Sequence, residues 1–424
     1  MTLPELHKAF LASTGVSTDT RAIKNGNIYF ALKGDNFDGN KFARQALENG
    51  ASLAVIDDDQ YQSSQTVLVE DVLTTLQQLS SYHRDQLQIS VIGLTGSNGK
   101  TTTKELIAAA LGAKYNVAFT KGNLNNHIGV PLTLLSIKPE HEIAVVEMGA
   151  NHQKEIEFLC SLSKPGFGYI TNFGKAHLEG FGGIEGVIKG KTELYNFLRN
   201  NNKTVFVNAE DPVQIEKSKG INTITFGSKE DVNVLIQKKE TVGSELDVIY
   251  KNTSIHSNLT GTYNFPNISA AIAIADYFDV SPELIKQGLE NYFPTNNRSQ
   301  ISQTENNTLI VDTYNANPSS MEAAIKNMAS YSGDHKWVIL GDMFELGEFE
   351  KDEHQKIADL ALSQNFEKVI LVGKAFSASH AEPALQLEGT PDLLIWLEQN
   401  PIKGKTILLK GSRGMAIERA IPFL

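Results

Sequence analysis

The residues of this chain that could do chemistry are concentrated in one glycine-rich stretch. The stretch consists of Thr95, Gly96, Ser97, Asn98, Gly99, Lys100, Thr101 and Thr102. Two glycines let the backbone curl so that successive N–H groups face one point, where an anion binds. Lys100 can reach a terminal phosphate oxygen, and the Thr101 hydroxyl is placed to ligate Mg²⁺. A glycine-rich turn with an accidental lysine is the alternative, but the Gly-Lys-Thr triple favours an ATP site.

The segments on either side of this loop are those that a phosphate-binding loop requires. Residues 91–94 form an apolar run that predicts a buried strand, and residues 105–111 have the spacing and composition of a helix. The positive end of the helix would then face the loop. The standard motif would place a glycine at Leu94, so this loop is the shorter Gly-x-x-Gly-Lys-Thr-Thr variant.

Length and charge limit the possible classes of protein. The chain has 424 residues, which suggests two to four domains, and a formal net charge of −11. It contains no basic tract, so a general nucleic-acid role is disfavoured. One cysteine, Cys160, fits a reducing compartment, and no apolar run is long enough to cross a bilayer. The first residues lack an apolar signal region, and we expect a monomeric, cytoplasmic protein without membrane insertion.

Periodicity divides the chain into three predicted domains, 1–84, 85–294 and 295–424. In the first, residues 27–32 and 52–56 read as strands, 41–48 as a helix and 80–88 as a linker. In the second, 143–146, 167–171 and 203–207 read as buried strands and 185–198 as a helix, while 221–226, 233–238, 245–250 and 253–259 alternate like half-exposed antiparallel strands. In the third, strands at 309–312, 337–340, 368–372 and 406–409 alternate with helices near 319–330, 351–364, 391–399 and 415–421.

The fold class that follows is α/β. A small α/β domain precedes a central P-loop mononucleotide-binding domain, which has a parallel sheet plus antiparallel strands. A doubly wound, Rossmann-like domain ends the chain.

Further candidates follow predicted strands, where parallel sheets place their sites. Glu147 ends a buried strand and suits a Mg²⁺ ligand, whereas a solvated edge carboxylate is the weaker alternative. His177 follows another strand, and a metal or phosphate contact is at least as favoured as a structural role. Lys189 and Lys191 look on spacing alone like a solvated helix face. Polar clusters at 312–318, 341–347 and 410–413 share one predicted sheet edge and indicate a binding surface.

These residues together resemble the Mur ligases, the ATP-dependent amide ligases of peptidoglycan precursor assembly. The short loop, Glu147, the 172–177 segment and Lys191 match that family's motifs in order, as do Asn264, Arg298 and Asp312. The resemblance covers all three predicted domains. Stretches 123–126, 312–318, 341–347 and 410–413 point within the family to addition of a dipeptide.

The resemblance implies a role for each matched residue. ATP would be bound by Thr95, Gly96, Ser97, Asn98, Gly99, Lys100, Thr101, Thr102, Asn264, Asn267, Arg298 and Asp312. One Mg²⁺ would be held by Thr101 and Glu147, and a second by His177 and Lys191, the latter as a carbamate. The catalytic set would be Lys100, Lys191, His177 and Arg298. UDP would contact Asp19, Thr20 and Arg21; the muramoyl-peptide would contact Asn125, Asn126 and Thr171; the dipeptide would contact Tyr314, Asn315, Asn317, Asp342 and Arg413.

Some choices stay open in the sequence. The chain alone cannot separate Lys191 from Lys189 as the carbamate carrier. Asn40 and His127 depart from the family pattern, since a histidine and an acidic residue are usual there, and neither is assigned a role.

The implied reaction joins UDP-muramoyl-tripeptide to D-Ala-D-Ala through an acyl phosphate. Alternatives are a Mur-type ligase that adds a single amino acid, a ligase that adds glutamate to folate, a P-loop switch NTPase and an inactive scaffold. Closure of the second and third domains by rotation about 294–298 is expected, because the implied site draws on both.

Overall fold

The computed structural model describes residues 1–239, 246–294, 298–331 and 333–424. The chain forms two compact units. The first unit comprises residues 1–94, 115–149 and 155–168, and the second comprises 95–114, 150–154 and 169–424. The predicted domain boundaries at 84/85 and 294/295 remain predictions, and residues 295–297 of the predicted hinge lie outside the described residues.

The N-terminal segment folds around a parallel sheet with strand order β1-β2-β5-β6. Its strands are β1 (Val16–Ser17), β2 (Ile28–Phe30), β3 (Lys33–Gly34), β4 (Phe37–Asp38), β5 (Leu53–Ile56) and β6 (Thr66–Leu68), and its helices are α1 (Leu3–Ala12), α2 (Ala43–Glu48) and α3 (Val72–Gln86). Alternate residues of β2 are buried on opposite faces, since Ile28 and Phe30 share a core with Leu76 while Tyr29 packs with Ala43. The predicted linker at 80–88 is wrong, because Leu79 and His83 continue the buried face of α3.

The middle segment contains nine strands and nine helices among its described residues. The strands are β7 (Ser90–Thr95), β8 (Val117–Phe119), β9 (Ile143–Glu147), β10 (Phe167–Ile170), β11 (Thr204–Asn208), β12 (Asn222–Gly227), β13 (Val234–Lys238), β14 (Leu246–Tyr250) and β15 (Thr253–Ser257). The helices are α4 (Lys100–Gly112), α5 (Gly129–Leu135), α6 (Glu155–Ser163), α7 (Leu178–Phe181), α8 (Ile184–Lys191), α9 (Glu193–Asn200), α10 (Pro212–Lys217), α11 (Phe265–Tyr277) and α12 (Pro282–Glu290).

Strand pairing in this segment is parallel first and antiparallel later. In the first unit β8, β9 and β7 are parallel neighbours, and all five residues of β9 are buried. In the second unit β11, β12 and β13 are parallel, and β13, β14 and β15 are antiparallel. The prediction that 221–226 is antiparallel is therefore wrong. Glu245, at the start of another predicted strand, lies outside the described residues.

The predicted helix 185–198 is in fact two helices, α8 and α9, which meet at Thr192. The Thr192 hydroxyl donates to the carbonyl oxygens of Ile188 and Lys189, at 2.8 and 3.0 Å. Threonine hydroxyls that bond back to the preceding turn bend helices in this way. The break ends α8 at Lys191.

The C-terminal segment is built on a six-stranded sheet of order β16-β17-β21-β18-β19-β20. Its strands are β16 (Gln300–Gln303), β17 (Thr308–Asp312), β18 (Lys336–Gly341), β19 (Lys368–Val372), β20 (Leu385–Leu387) and β21 (Thr406–Lys410), and its helices are α13 (Pro318–Ser330), α14 (Glu350–Leu362), α15 (Lys374–Ser377) and α16 (Thr390–Gln399). The four predicted strands are confirmed, and all are parallel, while the unpredicted β16 is an antiparallel edge strand. The helix predicted at 415–421 is a 3₁₀ helix, Ile417–Phe423. None of the helices in the described part of the chain combines the length and apolarity needed to span a membrane.

Candidate active site

The glycine-rich loop has the shape of an anion cradle. Gly96 has φ +141° and Gly99 has φ +77°, both in the region that favours glycine. A Cβ on Gly96 would lie 2.0 Å from Thr171 Oγ1, and one on Gly99 would lie 2.8 Å from Asn267 Oδ1. The loop therefore requires both glycines, and α4 begins directly after it with its N-terminal N–H groups at the loop.

The Lys100 side chain folds back over the phosphate-binding loop. Its Nζ donates to the carbonyl oxygens of Gly96 at 2.7 Å and Ser97 at 3.1 Å. These bonds place a cationic group at the mouth of the loop. The Lys100 ammonium therefore lies close to where the terminal phosphate of a nucleotide is expected.

The predicted nucleotide residues Asn264 and Asn267 lie beneath the first turn of α4. Asn267 Oδ1 accepts from Thr103 Oγ1 at 3.1 Å, and its Nδ2 donates to Asn264 Oδ1 at 2.9 Å. Asn264 in turn donates to the Thr260 carbonyl oxygen at 2.8 Å. Both asparagines are buried, so the structure gives them a supporting role at the loop.

Glu147 and Asn125 are brought together in the first unit. Asn125 Nδ2 donates to Glu147 Oε1 at 2.7 Å, and the Glu147 backbone N–H donates to Thr120 Oγ1 at 3.0 Å. Glu147 is in register with Leu94, the residue before the loop. This buried carboxylate is a hard oxygen donor of the kind that Mg²⁺ prefers.

Burial distinguishes the two candidate lysines of α8. Lys191 is fully buried, and its Nζ donates to the Ala150 carbonyl oxygen at 3.0 Å and lies 5.0 Å from the centre of the Phe181 ring. Lys189 is exposed. A buried amine is more readily neutral than an exposed one, and only a neutral amine can take up CO₂. The geometry therefore favours Lys191.

His177 has a carboxylate partner that the sequence did not indicate. Its Nδ1 hydrogen-bonds to Glu345 Oε2, and both residues have positive φ angles, +54° and +60°. The hydrogen bond with His177 lowers the pKa of Glu345 against the opposing effect of burial. A carboxylate on one imidazole nitrogen fixes the ring and leaves Nε2 for a ligand.

The predicted magnesium ligands fit a hard cation only in part. Within the described ranges no group of three or more His, Cys, Asp or Glu side chains could hold a metal ion. Glu147 and the buried Thr101 offer suitable oxygens. Lys191 as an ammonium would repel a cation, whereas a carbamate on the same stem would supply oxygen donors.

Tyr314 lies between two predicted substrate arginines. The Arg298 guanidinium is 3.7 Å from the ring centre and the Arg413 guanidinium is 5.5 Å from it. A guanidinium stacked on an aromatic face is held in orientation while its N–H groups remain available for anions. The structure thus joins Arg298, predicted for ATP, to Tyr314 and Arg413, predicted for the dipeptide.

Asp312 is held by a buried lysine, Lys410, which the sequence analysis placed in a polar cluster without giving it a role of its own. Lys410 Nζ donates to Asp312 Oδ2 at 2.6 Å and to the Asn315 carbonyl oxygen at 3.1 Å. The Ser299 N–H donates to Asp312 Oδ1 at 3.3 Å. Lys410 ends the apolar strand β21, which pairs with β17. This position at the end of a strand is the sequence feature that indicates a site residue.

Two predicted dipeptide residues are engaged with local backbone. Asp342 accepts from the N–H groups of Ala375 and Phe376, each at 3.0 Å, and so holds the start of α15. Asn317 Oδ1 accepts from the Ser320 N–H at 2.9 Å and caps α13. Asn315, by contrast, is exposed.

In the first unit the predicted UDP residues form a turn in which Arg21 is exposed and Asp19 and Thr20 are half-buried. Arg21 donates to both carboxylate oxygens of Asp19, and these bonds lower the pKa of Asp19 to about 2. The Thr20 carbonyl oxygen accepts from Asn49 at 3.1 Å. Arg21 is 88% exposed, so its guanidinium is open to an incoming anion.

The remaining residues of the first unit have structural explanations. Asn126 Oδ1 accepts from the N–H groups of Ile128 and Gly129 and so holds the entry to α5. Asn40 is fully buried and bridges Asp38 and Asp57 with one amide group, at 2.9 and 2.8 Å. This bridge is a structural role for the position that departs from the family pattern. His127 is exposed.

A phosphate loop between a strand and a helix, followed by a second α/β sheet with polar strand ends, is typical of an α/β nucleotide-binding protein. The chain belongs to the Mur ligase family. Profiles for the "Mur ligase family, catalytic domain", the "Mur ligase middle domain" and the "Mur ligase, glutamate ligase domain" match residues 13–86, 94–275 and 297–413.

Individual relatives are similar over nearly the whole chain. The UDP-N-acetylmuramoyl-tripeptide–D-alanyl-D-alanine ligase of Bacillus subtilis is 36% identical over 96% of this chain and 92% of its own length. A crystal structure of MurF from Acinetobacter baumannii, 30% identical, superposes with a TM-score of 0.84 over 99% of this chain and 98% of that one. The MurF ligase of Thermotoga maritima in complex with ADP, 26% identical, gives 0.84 over 97% of both chains.

Proposed function

We propose that this chain is an ATP-dependent ligase that joins D-alanyl-D-alanine to UDP-N-acetylmuramoyl-tripeptide in peptidoglycan precursor synthesis. The products are UDP-N-acetylmuramoyl-pentapeptide, ADP and phosphate. The observation that carries the proposal is a phosphate loop shaped by Gly96 and Gly99 in a chain that is 36% identical to a ligase of this name over 96% of its length. The T. maritima relative in complex with ADP supports the nucleotide.

In the first step the terminal carboxylate of the tripeptide attacks the γ-phosphorus of ATP. A carboxylate O–P bond forms, the bond to the β,γ-bridging oxygen breaks, and ADP leaves. Two anions approach each other in this step, so fixed cations must offset their repulsion. Lys100 at the loop and Arg298 on Tyr314 are the cations of this chain suited to that task.

In the second step the free amine of the dipeptide attacks the acyl carbon. The new C–N bond replaces the C–O bond to phosphate, and the nitrogen loses a proton as phosphate departs. Tyr314, Asn315, Asn317, Asp342 and Arg413 are proposed to line the dipeptide site. Of these, Tyr314, Asn315 and Arg413 would touch the dipeptide. Asn317 caps α13 at the end of the loop that carries Tyr314 and Asn315, and Asp342 holds the start of α15.

Two Mg²⁺ ions would neutralise phosphate charge when bound. Thr101 and Glu147 would hold one of them, and His177 with a carbamate on Lys191 would hold the other. The carbamate forms when the neutral Lys191 amine adds to CO₂ with loss of one proton. Glu345 would orient the His177 ring for this task.

The acceptor would be bound by residues of the N-terminal and middle segments. Asp19, Thr20 and Arg21 are proposed for UDP, and the exposed Arg21 guanidinium supports a pyrophosphate contact. Asn125 and Thr171 are proposed for the muramoyl-peptide, and Asn126 would act by holding the turn beside Asn125. Asn264 and Asn267 are proposed to support the nucleotide from beneath α4.

A cytoplasmic monomer is part of the proposal. The single, buried Cys160 supports a reducing compartment. Light scattering of the purified protein over a range of concentrations tests the monomer, and a concentration-dependent mass would contradict it.

The decisive experiment is ADP release with UDP-muramoyl-tripeptide and different amines. We expect release with D-Ala-D-Ala and little with single amino acids. Preference for a single amino acid would favour another ligase of the family. ADP release without any amine would favour a P-loop switch, and Lys100→Met is the control for contaminating ATPases.

A further inference from the structure

Asn98 of the phosphate loop is fixed from three sides by the segment that follows β10. Its N–H donates to Asn172 Oδ1 at 3.1 Å, and its carbonyl oxygen accepts from Thr171 Oγ1 at 2.6 Å and Asn172 Nδ2 at 3.0 Å. Ser97 Oγ also donates to the Gly174 carbonyl oxygen at 2.7 Å. These four hydrogen bonds tie residues 171–174 to the phosphate loop.

Asn317, in the C-terminal segment, uses one end of its side-chain amide to cap α13 and the other end to bond to the phosphate loop. Its Oδ1 caps α13 through the Ser320 N–H, while its Nδ2 donates to Asn98 Oδ1 at 2.6 Å. Asn317 is only 7% exposed. The two ends of the Asn317 amide thus bond to two different elements, the start of α13 and the phosphate loop.

A second hydrogen bond lies beside the first. The Lys175 N–H donates to Ser319 Oγ at 2.9 Å. The close approach depends on Gly174, because a Cβ there would lie 2.8 Å from Asn98 Nδ2 and 3.0 Å from Ser319 Oγ. The Lys175 ammonium also pairs with Glu353 Oε1 of α14 at 2.8 Å.

We propose that Asn317 is a positioning residue that ties the start of α13 to the phosphate loop, and we call its bond to Asn98 and the Lys175–Ser319 bond the clasp. The loop from Asp312 to Asn317, which carries Tyr314 and Asn315, ends at this bond. When the clasp is formed, that loop is anchored at Asp312 by Lys410 and at Asn317 by Asn98. The clasp therefore couples the nucleotide loop to the dipeptide loop. For the dipeptide, the inference rests on the proposed function.

The variant Asn317→Asp separates the two jobs of this side chain. Aspartate caps helices as well as asparagine does, so α13 keeps its cap. The donor to Asn98 is lost, and a carboxylate then faces the Asn98 amide oxygen. We expect the KM for D-Ala-D-Ala to rise roughly ten-fold, the usual effect of one lost buried hydrogen bond.

Hydrogen exchange gives a readout that does not depend on the substrate. Because the Lys175 N–H is part of the clasp, the peptide spanning 172–177 should exchange roughly ten-fold faster in Asn317→Asp, by the same hydrogen-bond argument. The peptide at the start of α13 should keep its protection, since the cap is retained.

Ser320→Ala is the matched control. It removes the bond that Ser320 Oγ accepts from the Asn317 N–H at 3.1 Å and leaves both clasp bonds in place. We expect exchange at 172–177 to be normal in this variant. Equal behaviour of Asn317→Asp and Ser320→Ala would overturn the clasp.

A third variant covers the case in which Asn317→Asp does not fold. Ser319→Ala removes the acceptor of the Lys175 N–H and should raise exchange at 172–177; unchanged exchange would count against the clasp. If wild-type protein binds ADP but does not ligate the dipeptide, the proposed function fails. The exchange comparison then still decides whether the clasp exists.

Discussion

At the residue scale, burial separates Lys191 from Lys189 as the candidate carrier of the proposed carbamate. Lys191 is buried at the end of α8, and Lys189 is exposed on the same helix. We expect Lys191→Ala to be nearly inactive in ADP release and Lys189→Ala to retain wild-type activity. A carbamate resonance in ¹³C NMR after addition of ¹³CO₂ should be present in Lys189→Ala and absent in Lys191→Ala. Full activity of Lys191→Ala would remove the carbamate from the mechanism.

Residue types and spacing gave candidate side chains, but they did not give the contacts that those side chains make. The glycine-rich loop and Glu147 were candidates because a motif and a strand end are local properties of the chain, whereas Asn264 and Asn267 were candidates only through the family resemblance. Lys410 was given no role of its own, because its partner Asp312 is 98 residues away and only sheet pairing brings them together. The same applies to the pairing of His177 with Glu345.

At the element scale, the turn from β7 into α4 requires a glycine at position 99. Gly99→Ala would place a Cβ 2.8 Å from Asn267 Oδ1 at a φ of +77°. We expect calorimetry to show a Kd for ADP that is weaker by roughly five-fold or more, because holding an alanine in this left-handed conformation costs about 1–3 kcal/mol.

The matched control lies at the other end of the same helix. A Cβ on Gly112 meets nothing within 4 Å, and Gly112→Ala should leave ADP binding unchanged. Equal affinities for all three proteins would show that the loop does not bind the nucleotide as proposed.

The packing of α1 on α3 contains a buried pair of neutral histidines. His7 Nε2 and His83 Nδ1 are 3.1 Å apart, and His83 Nε2 donates to the Ile137 carbonyl oxygen at 3.0 Å. Burial lowers the pKa of both rings. Below the ordinary histidine pKa of about 6.5, the two histidines bind protons in the unfolded protein but not in the folded one. The free energy of unfolding therefore falls as the pH drops through that value.

We therefore expect protection of α1 and α3 amides, corrected for intrinsic exchange, to decrease from pH 7.5 to pH 5.5. Replacement of both histidines by glutamine keeps polar hydrogen-bonding groups and removes the titration. The double variant should lose little protection over the same range. A wild-type profile as flat as that of the double variant would contradict the prediction.

The ends of helices and strands were predicted well where the local sequence determines them. They were predicted poorly where tertiary packing determines them. Four strands of the C-terminal sheet were predicted correctly because each of them is an apolar run between polar turns. The continuation of α3 through 80–86 was missed because its polar sequence hides a buried stripe of Leu79 and His83. The break at Thr192 depends on a hydroxyl that could equally have faced solvent.

At the scale of the whole molecule, the α/β class followed from strand–helix alternation and a phosphate loop, which leave few architectures open. The ligase family followed from the resemblance of the matched motifs to that family. The contacts that join the middle and C-terminal segments did not follow. Lys175 and Glu353 are 178 residues apart, and neither belongs to a motif. Glu353 is nonetheless nearly buried, and its hydrogen bonds with Lys175 and Lys356 lower its pKa despite burial.

The last prediction concerns closure of the middle and C-terminal segments around the substrates. An acyl phosphate hydrolyses if water reaches it, and the proposed cations Lys100 and Arg298 lie on different segments, so the complete site should exist only in a closed form. We expect small-angle scattering to give a smaller radius of gyration with ADP and acceptor bound than without ligands. Glu353→Gln removes the charge opposite Lys175 and should shift the ligand-free protein further towards the open form, whereas Glu322→Gln, which alters an exposed pair within α13, should not. Identical scattering of the wild-type protein with and without ligands would exclude rotation about 294–298 as a step of the reaction.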